Sequence, residues 1–153
     1  MQPATCAFTK SNSNEPCLSR GSIVSTPEGV VYASPNGLIV VGPNGIINAT
    51  KQLITRDDWL KDFSPEYLRA CRYQDGYLAL RMPPQPDPRS GFFLDPTAIQ
   101  VALTELSDFE LVRNLCPDFW SGVVFMIFDG LVKQWDPPGE VLMPTLWLSK
   151  EYL

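Results

Sequence analysis

Val30-Val31-Tyr32-Ala33-Ser34-Pro35-Asn36-Gly37-Leu38-Ile39-Val40-Val41-Gly42-Pro43-Asn44-Gly45-Ile46-Ile47 is the stretch on which the fold turns. Two runs of β-branched and aromatic residues meet at Ser34-Pro35-Asn36-Gly37, and a second Asn-Gly follows at Asn44-Gly45. Asn-Gly supplies the positive φ that a tight hairpin turn needs. The spacing predicts three antiparallel strands near 29–34, 37–42 and 45–49. A meander of this kind cannot bury both faces alone, so it must stack on something similar.

The same strand–turn–strand logic returns twice. Residues 70–80 carry it around Asp75-Gly76, and residues 123–139 carry it around Asp129-Gly130. Gly91-Phe92-Phe93-Leu94-Asp95-Pro96 resumes pairing after a proline-rich connection at 83–89, where proline excludes a central strand. Ile99, Val101 and Leu103 alternate with polar or small residues, a half-buried strand pattern. Residues 105–118 fit one short helix or a fourth strand. Residues 145–152 end the chain while still strand-like, which implies partners from elsewhere.

Between the first two meanders the chain carries helix-start signals. Thr55 is placed as an N-cap with Asp57 and Asp58 in the first turn, and Ser64 as a second cap with Pro65 behind it. Short helical turns are expected at 55–61 and 65–70, with Trp59, Phe63, Tyr67 and Leu68 packed on the sheet. Residues 1–20, rich in Ser, Asn, Thr and Pro, read as a flexible segment ahead of a β domain spanning 21–153. One short strand is possible within 17–25, before Pro27-Glu28-Gly29.

Composition narrows the function. The 153 residues are 44% hydrophobic and 19% charged, which suits a folded chain, and 15 prolines with 10 glycines suit a turn-rich β protein. A net charge of −5 offers no basic footprint for sequence-specific nucleic-acid binding. An acidic surface does suit a passage through which DNA slides without sticking. No apolar run is long enough to span a bilayer, and no signal-peptide pattern opens the chain. Cys6, Cys17, Cys71 and Cys116 form no C-x-x-C pair; a Cys6–Cys17 disulfide is geometrically conceivable, but the four read as free thiols of a reducing cytoplasm and no metal is expected. No Walker A or dinucleotide fingerprint occurs, so no cofactor is expected.

Catalysis finds no seat in this composition. With no histidine, Ser–His–Asp and Cys–His arrangements are impossible, and base chemistry would fall to carboxylates or lysine. Asp57, Asp58, Asp75, Asp95, Asp108, Asp118, Asp129 and Asp136 are the candidate carboxylates. Turn and helix-start duties account for nearly all of them. Trp59, Trp120, Trp135 and Trp147 are the candidate interface residues, with stacking on sugars as the alternative use.

Asn36, Asp75 and Asp129 lie 39 residues (36 to 75) and 54 residues (75 to 129) apart. Repeats of roughly 40–50 residues with three or four strands each are the spacing of β-propeller blades. The expected fold class is therefore mainly β: antiparallel meanders forming about three propeller-like blades, with short helical turns. Three blades do not close a ring, and an irregular β-sandwich is the alternative.

Three strings together resemble a family of tailed-bacteriophage and prophage virion proteins. They are residues 17–24, the hairpin Val31-Tyr32-Ala33-Ser34-Pro35-Asn36-Gly37-Leu38, and Leu53-Ile54-Thr55-Arg56-Asp57-Asp58-Trp59 with Phe63-Ser64-Pro65 behind it. Later matches fall at 73–79, 91–96, 132–136 and 147–152, so the resemblance covers most of residues 17–153. It departs at 83–89 and 115–122. Family members are several times longer, so the chain resembles a portion of one. The resemblance implies a structural component of the phage tail, related to β-propeller proteins of the tail nozzle or hub. Its implied partners are other virion proteins and copies of itself, with no enzymatic site.

Overall fold

The computed structural model describes residues 15–43, 45–82, 84, 90–95, 102–106, 112–118 and 120–135. These form three antiparallel sheets in chain order. The first holds β1 (Val24–Thr26), β2 (Gly29–Ser34), β3 (Gly37–Gly42) and β4 (Gly45–Asn48). The second holds β5 (Leu68–Tyr73), β6 (Gly76–Arg81), β7 (Gly91–Asp95) and β8 (Ala102–Leu106). The third holds β9 (Val112–Pro117), β10 (Val124–Phe128) and β11 (Leu131–Gln134). The protein is thus mainly β, and residues 112–117 resolve as strand rather than helix.

Three turns of one design set the first sheet. Pro27, Pro35 and Pro43 are each followed two residues later by Gly29, Gly37 or Gly45, an interval of eight residues (27 to 35, 35 to 43). The paired positions are Thr26 with Gly29, Ser34 with Gly37, and Gly42 with Gly45. Proline at the second position and glycine at the fourth is the type I turn signature. The positive φ falls on the closing glycines, at 138°, 133° and 110°, and not on Asn36. The other two turns differ. Gln74 carries the positive φ before Asp75-Gly76, whereas Asp129 and Gly130 both carry it in the third sheet.

The second sheet lies between the other two, and period-two alternation assigns its faces. Tyr77, Ala79, Phe92 and Leu94 pack with Val31, Ala33, Leu38 and Val40 of the first sheet. Leu78, Leu80 and Cys71 pack with Val112, Leu115 and Val124 of the third. The Tyr77 hydroxyl donates to the Ser22 carbonyl at 2.8 Å, which satisfies a phenol that would otherwise be stranded.

The first strands of the sheets lie side by side, β1 against β5 and β5 against β9. Val24, Leu68 and Val112 open these strands at intervals of 44 residues (24 to 68, 68 to 112), and all three are buried. This interval replaces the 39 and 54 read from the turns. Asn36-Gly37 and Asp129-Gly130 join second to third strands, but Asp75-Gly76 joins a first to a second, so the three turns are not equivalent.

The link between the first two sheets supplies the largest core side chain. Thr55 caps a short helix, α1 (Arg56–Asp58), accepting from the Asp58 amide at 3.2 Å and donating to the Asp58 carboxylate at 2.7 Å. Such a cap is worth about 1 kcal/mol. A π turn over Trp59–Phe63 then directs Trp59 and Phe63 inward. Trp59 donates its indole N–H to the Ser34 carbonyl at 2.8 Å and stacks on Phe63 at 5.4 Å.

Several expectations here need correction. Ser64 sits at φ 43° and caps nothing with its side chain; only Pro65–Tyr67 form a helical turn, and Leu68 to Ala70 already belong to β5. Tyr67 is exposed, not packed on the sheet. The short strand expected within 17–25, before Pro27-Glu28-Gly29, is β1, but it begins only at Val24, and Arg20–Ser22 form a 3-10 turn ahead of it. Residues 15–19, assigned to the flexible segment, dock on β2: the Leu18 amide donates to the Ala33 carbonyl, and the Glu15 carboxylate accepts from Ser34 and Asn36. The strand expected at 145–152 lies outside the described residues, as do Ile99 and Val101. Among the described residues, no helix is long and apolar enough to cross a membrane.

Candidate functional site

Two sheet faces and one loop stand out. On the first sheet, the face turned away from the second carries the cross-strand row Ser25–Val30–Val41–Ile46. Val30, Val41 and Ile46 are 41%, 38% and 38% exposed, although their types suit a covered face. Beside them runs the row Tyr32–Ile39–Asn48, in which Ile39 is buried. On the third sheet the outward rows are Cys116–Phe125–Gln134 and Asn114–Ile127–Val132, and Val132 is 72% exposed. None of the residues in these rows is charged. Clustered apolar side chains of this kind at a surface mark interaction sites.

The loop between β9 and β10 presents Trp120, which is 99% exposed. Its backbone is tied down. The Asp118 carboxylate accepts from the Trp120 amide at 3.1 Å and from the Ser121 hydroxyl at 2.5 Å. The Asp118 amide donates to the Val123 carbonyl, the Gly122 amide donates to the Asp118 carbonyl, and Gly122 takes φ 72°. The hydrogen bond from Ser121, followed by that from Trp120, holds the Asp118 pKa below its usual value.

The other predicted tryptophans fare differently. Trp59 is buried in the core, which removes it from the surface candidates. Trp135 is half-buried, its ring edge-on to Tyr73 at 6.3 Å between the second and third sheets. Trp147 lies outside the described residues. Neither outward face was singled out from the sequence. The register that separates Val30 and Val41 from Val31 and Val40 is legible only once the turns are placed.

The described carboxylates are not gathered into one site. Asp57 and Asp58 lie in the first turn of α1, Asp75 pairs with Arg72 at 2.8 Å, and Asp118 ties the tryptophan loop. Asp129 sits in its turn and Asp95 ends β7. Asp108 and Asp136 lie outside the described residues. Among the described residues, no group of three His, Cys, Asp or Glu side chains is placed to hold a metal ion. Cys71, Cys17 and Cys116 are free thiols, the first buried and the others exposed.

An open cleft of about 540 Å³ lies where Arg20 meets β5, lined by Tyr67, Arg69 and Met82 among others. The strands that lie side by side, β1, β5 and β9, carry Arg69, Arg72 and Arg113 and no carboxylate. These three arginines are exposed. No family model matches the chain, and no curated protein matches it.

Proposed function

We propose that this chain is a structural component of a bacteriophage virion, a propeller-like tail or nozzle protein that assembles with neighbouring subunits around the DNA channel. The observation that carries it is the stack of three sheets at a 44-residue interval (24 to 68, 68 to 112), with first strands adjacent and exposed apolar side chains, Val30, Val41 and Ile46 at one end and Val132 at the other. Propeller blades are four-stranded meanders arranged in this way, with first strands nearest the axis. The phage assignment comes from the resemblance of the 31–38 hairpin and the 53–59 segment to tailed-phage virion proteins.

On this reading β1, β5 and β9 face the axis. Exposed Arg69 and Arg113 give that wall positive charge, whereas Arg72 is paired with Asp75. A basic wall attracts a polyanion without reading its sequence.

The test is the protein content of purified virus particles from cells that make this chain. The expected result is the chain at a fixed multiple of other tail components, with particles losing their DNA when its gene is deleted. Absence from particles contradicts the reading.

The exposure of Trp120 favours a second reading, a glycan- or host-surface-binding module. An indole held in water on a tied loop is suited to stacking on a sugar ring. A glycan array probed with the chain and with Trp120→Ala checks it: binding that survives the substitution, or none at all, removes this second reading.

A further inference from the structure

We propose that the cleft between the Arg20–Ser22 turn and β5 is a phosphate site that grips the backbone of a nucleic acid, whatever its sequence, with Arg20 and Arg69 as its donors. This deepens the reading of β1, β5 and β9 as the wall of a DNA channel and rests on that reading for the source of the phosphate.

The turn that carries Arg20 is fastened to the second sheet at both ends. The Ser19 hydroxyl donates to the Leu68 carbonyl at 2.7 Å, and the Tyr77 hydroxyl donates to the Ser22 carbonyl at 2.8 Å. Arg20 and Gly21 lie between these two anchors. Gly21 leaves room for the neighbouring stem: a Cβ there would stand 3.3 Å from Arg69 Cγ and 3.3 Å from the Leu68 carbonyl oxygen. The Arg69 side chain thus runs over Gly21, beside Arg20, and both arginines line the cleft.

Their charge is not neutralised. Both are exposed, and among the described residues neither guanidinium takes a hydrogen bond or ion pair, whereas Arg72 is held by Asp75 at 2.8 Å. Guanidinium groups present planar forks of N–H donors, a geometry that matches phosphate oxygens. Tyr67, 40% exposed, lines the cleft too and adds a phenolic donor. Glu66 is the single carboxylate among the lining residues, so two arginines against one glutamate leave the cleft positive.

The placement favours a polymer over a free anion. Arg69 is the second residue of β5 and Arg113 the second residue of β9, 44 residues apart (69 to 113) on strands that lie side by side. Arg113 is exposed as well. Equivalent positions on adjacent strands set cations in a row, and such a row suits the evenly spaced phosphates of a backbone. In β1 the second residue is Ser25, and Arg20 supplies the charge from the turn instead.

The experiment is fluorescence anisotropy of a short labelled DNA duplex of mixed sequence with the full chain, over a series of potassium chloride concentrations. The variants are Arg20→Ala, Arg69→Ala, Glu66→Gln and Lys51→Ala, with circular dichroism as the folding control. Lys51 is an exposed cation that follows β4, at the far edge of the first sheet from β1. Each arginine variant is expected to weaken binding about tenfold at low salt and to lower the slope of log affinity against log salt by about one. Lys51→Ala is expected to change affinity by about twofold or less. Glu66→Gln is expected to tighten binding. No binding by the wild type at low salt overturns the proposal. So does an equal loss in Lys51→Ala, which would mean a general charge effect, or a Glu66→Gln variant that binds no tighter. Titration calorimetry with inorganic phosphate separates the sources: a chain that takes phosphate but not duplex holds a free ion, and the proposal falls. A chain found in virus particles that binds no DNA sinks the cleft but not the virion assignment. DNA binding by a chain absent from particles does the reverse.

Discussion

The second sheet and its two neighbours are all antiparallel meanders, yet they live in different surroundings. Gly76 to Leu80 of β6 are all buried. In β10 only Val124 is buried, and in β2 exposure alternates along the strand. All three strands are rich in apolar side chains, so the difference comes from what lies on either side of each sheet. A sheet with two apolar faces needs two neighbours. Among the described residues the middle sheet has a sheet on both sides and the flanking ones on one side each.

The largest contrast is expected from truncating core side chains. Phe92 is buried among Trp59, Phe63 and Tyr77, with ring centroids 6.1, 5.4 and 6.0 Å away. Phe92→Ala is expected to remove about 3–5 kcal/mol of stability, from lost transfer energy and the cavity left behind. Ile46→Ala, on the outward face, is expected to cost about 1 kcal/mol or less in urea melts at low protein concentration. Equal losses at the two positions would break the distinction between covered and uncovered faces.

A smaller contrast lies in the closing glycines of the first sheet. At Gly29, φ 138°, a Cβ would meet the Val41 carbonyl oxygen at 2.2 Å, whereas at Gly45, φ 110°, nothing lies within 4 Å. Both alanine variants carry the backbone penalty of roughly 1–3 kcal/mol. Gly29→Ala adds a collision with backbone that cannot yield cheaply, so it should melt well below Gly45→Ala. Matching melting temperatures would show that the turn, not the packing of β2 on β3, sets the penalty.

The smallest effect is confined to alkaline solution and belongs to the middle sheet. Burial, with a lesser contribution from Cys116, pushes the Cys71 thiol from 9.0 up to about 12. A group raised in the folded state contributes stability that is complete below its unfolded value, here 9.0, and is lost as pH climbs toward about 12. Burial raises Tyr77 as well, which acts in the same direction. Cys71→Ser should flatten this alkaline loss. Thiol labelling followed by mass spectrometry should find Cys17 and Cys116 modified well before Cys71. Early labelling of Cys71 would mean that the second and third sheets part readily.

Much of the strand pattern was legible because local chemistry fixed it. Pro35-Asn36-Gly37 and the apolar runs around it placed β2 and β3, and Thr55 with Asp58 placed α1. Other features depend on distant contacts. Ser64 has the composition of a cap, but the chain uses it at φ 43° to turn from Phe63 into Pro65. The repeat interval was obscured because connections differ in length: Gln74-Asp75 join β5 to β6, whereas residues 118–123 join β9 to β10. Of the three described tryptophans, Trp120 alone is exposed. Nothing around it in sequence separates it from Trp59, whose burial follows from the π turn.

Hydrogen exchange on the full chain addresses the contrast between the sheets most directly. The expected result is the strongest amide protection in β6 of the middle sheet and weaker protection in β10, where only Val124 is buried. Equal protection in the two strands would contradict it.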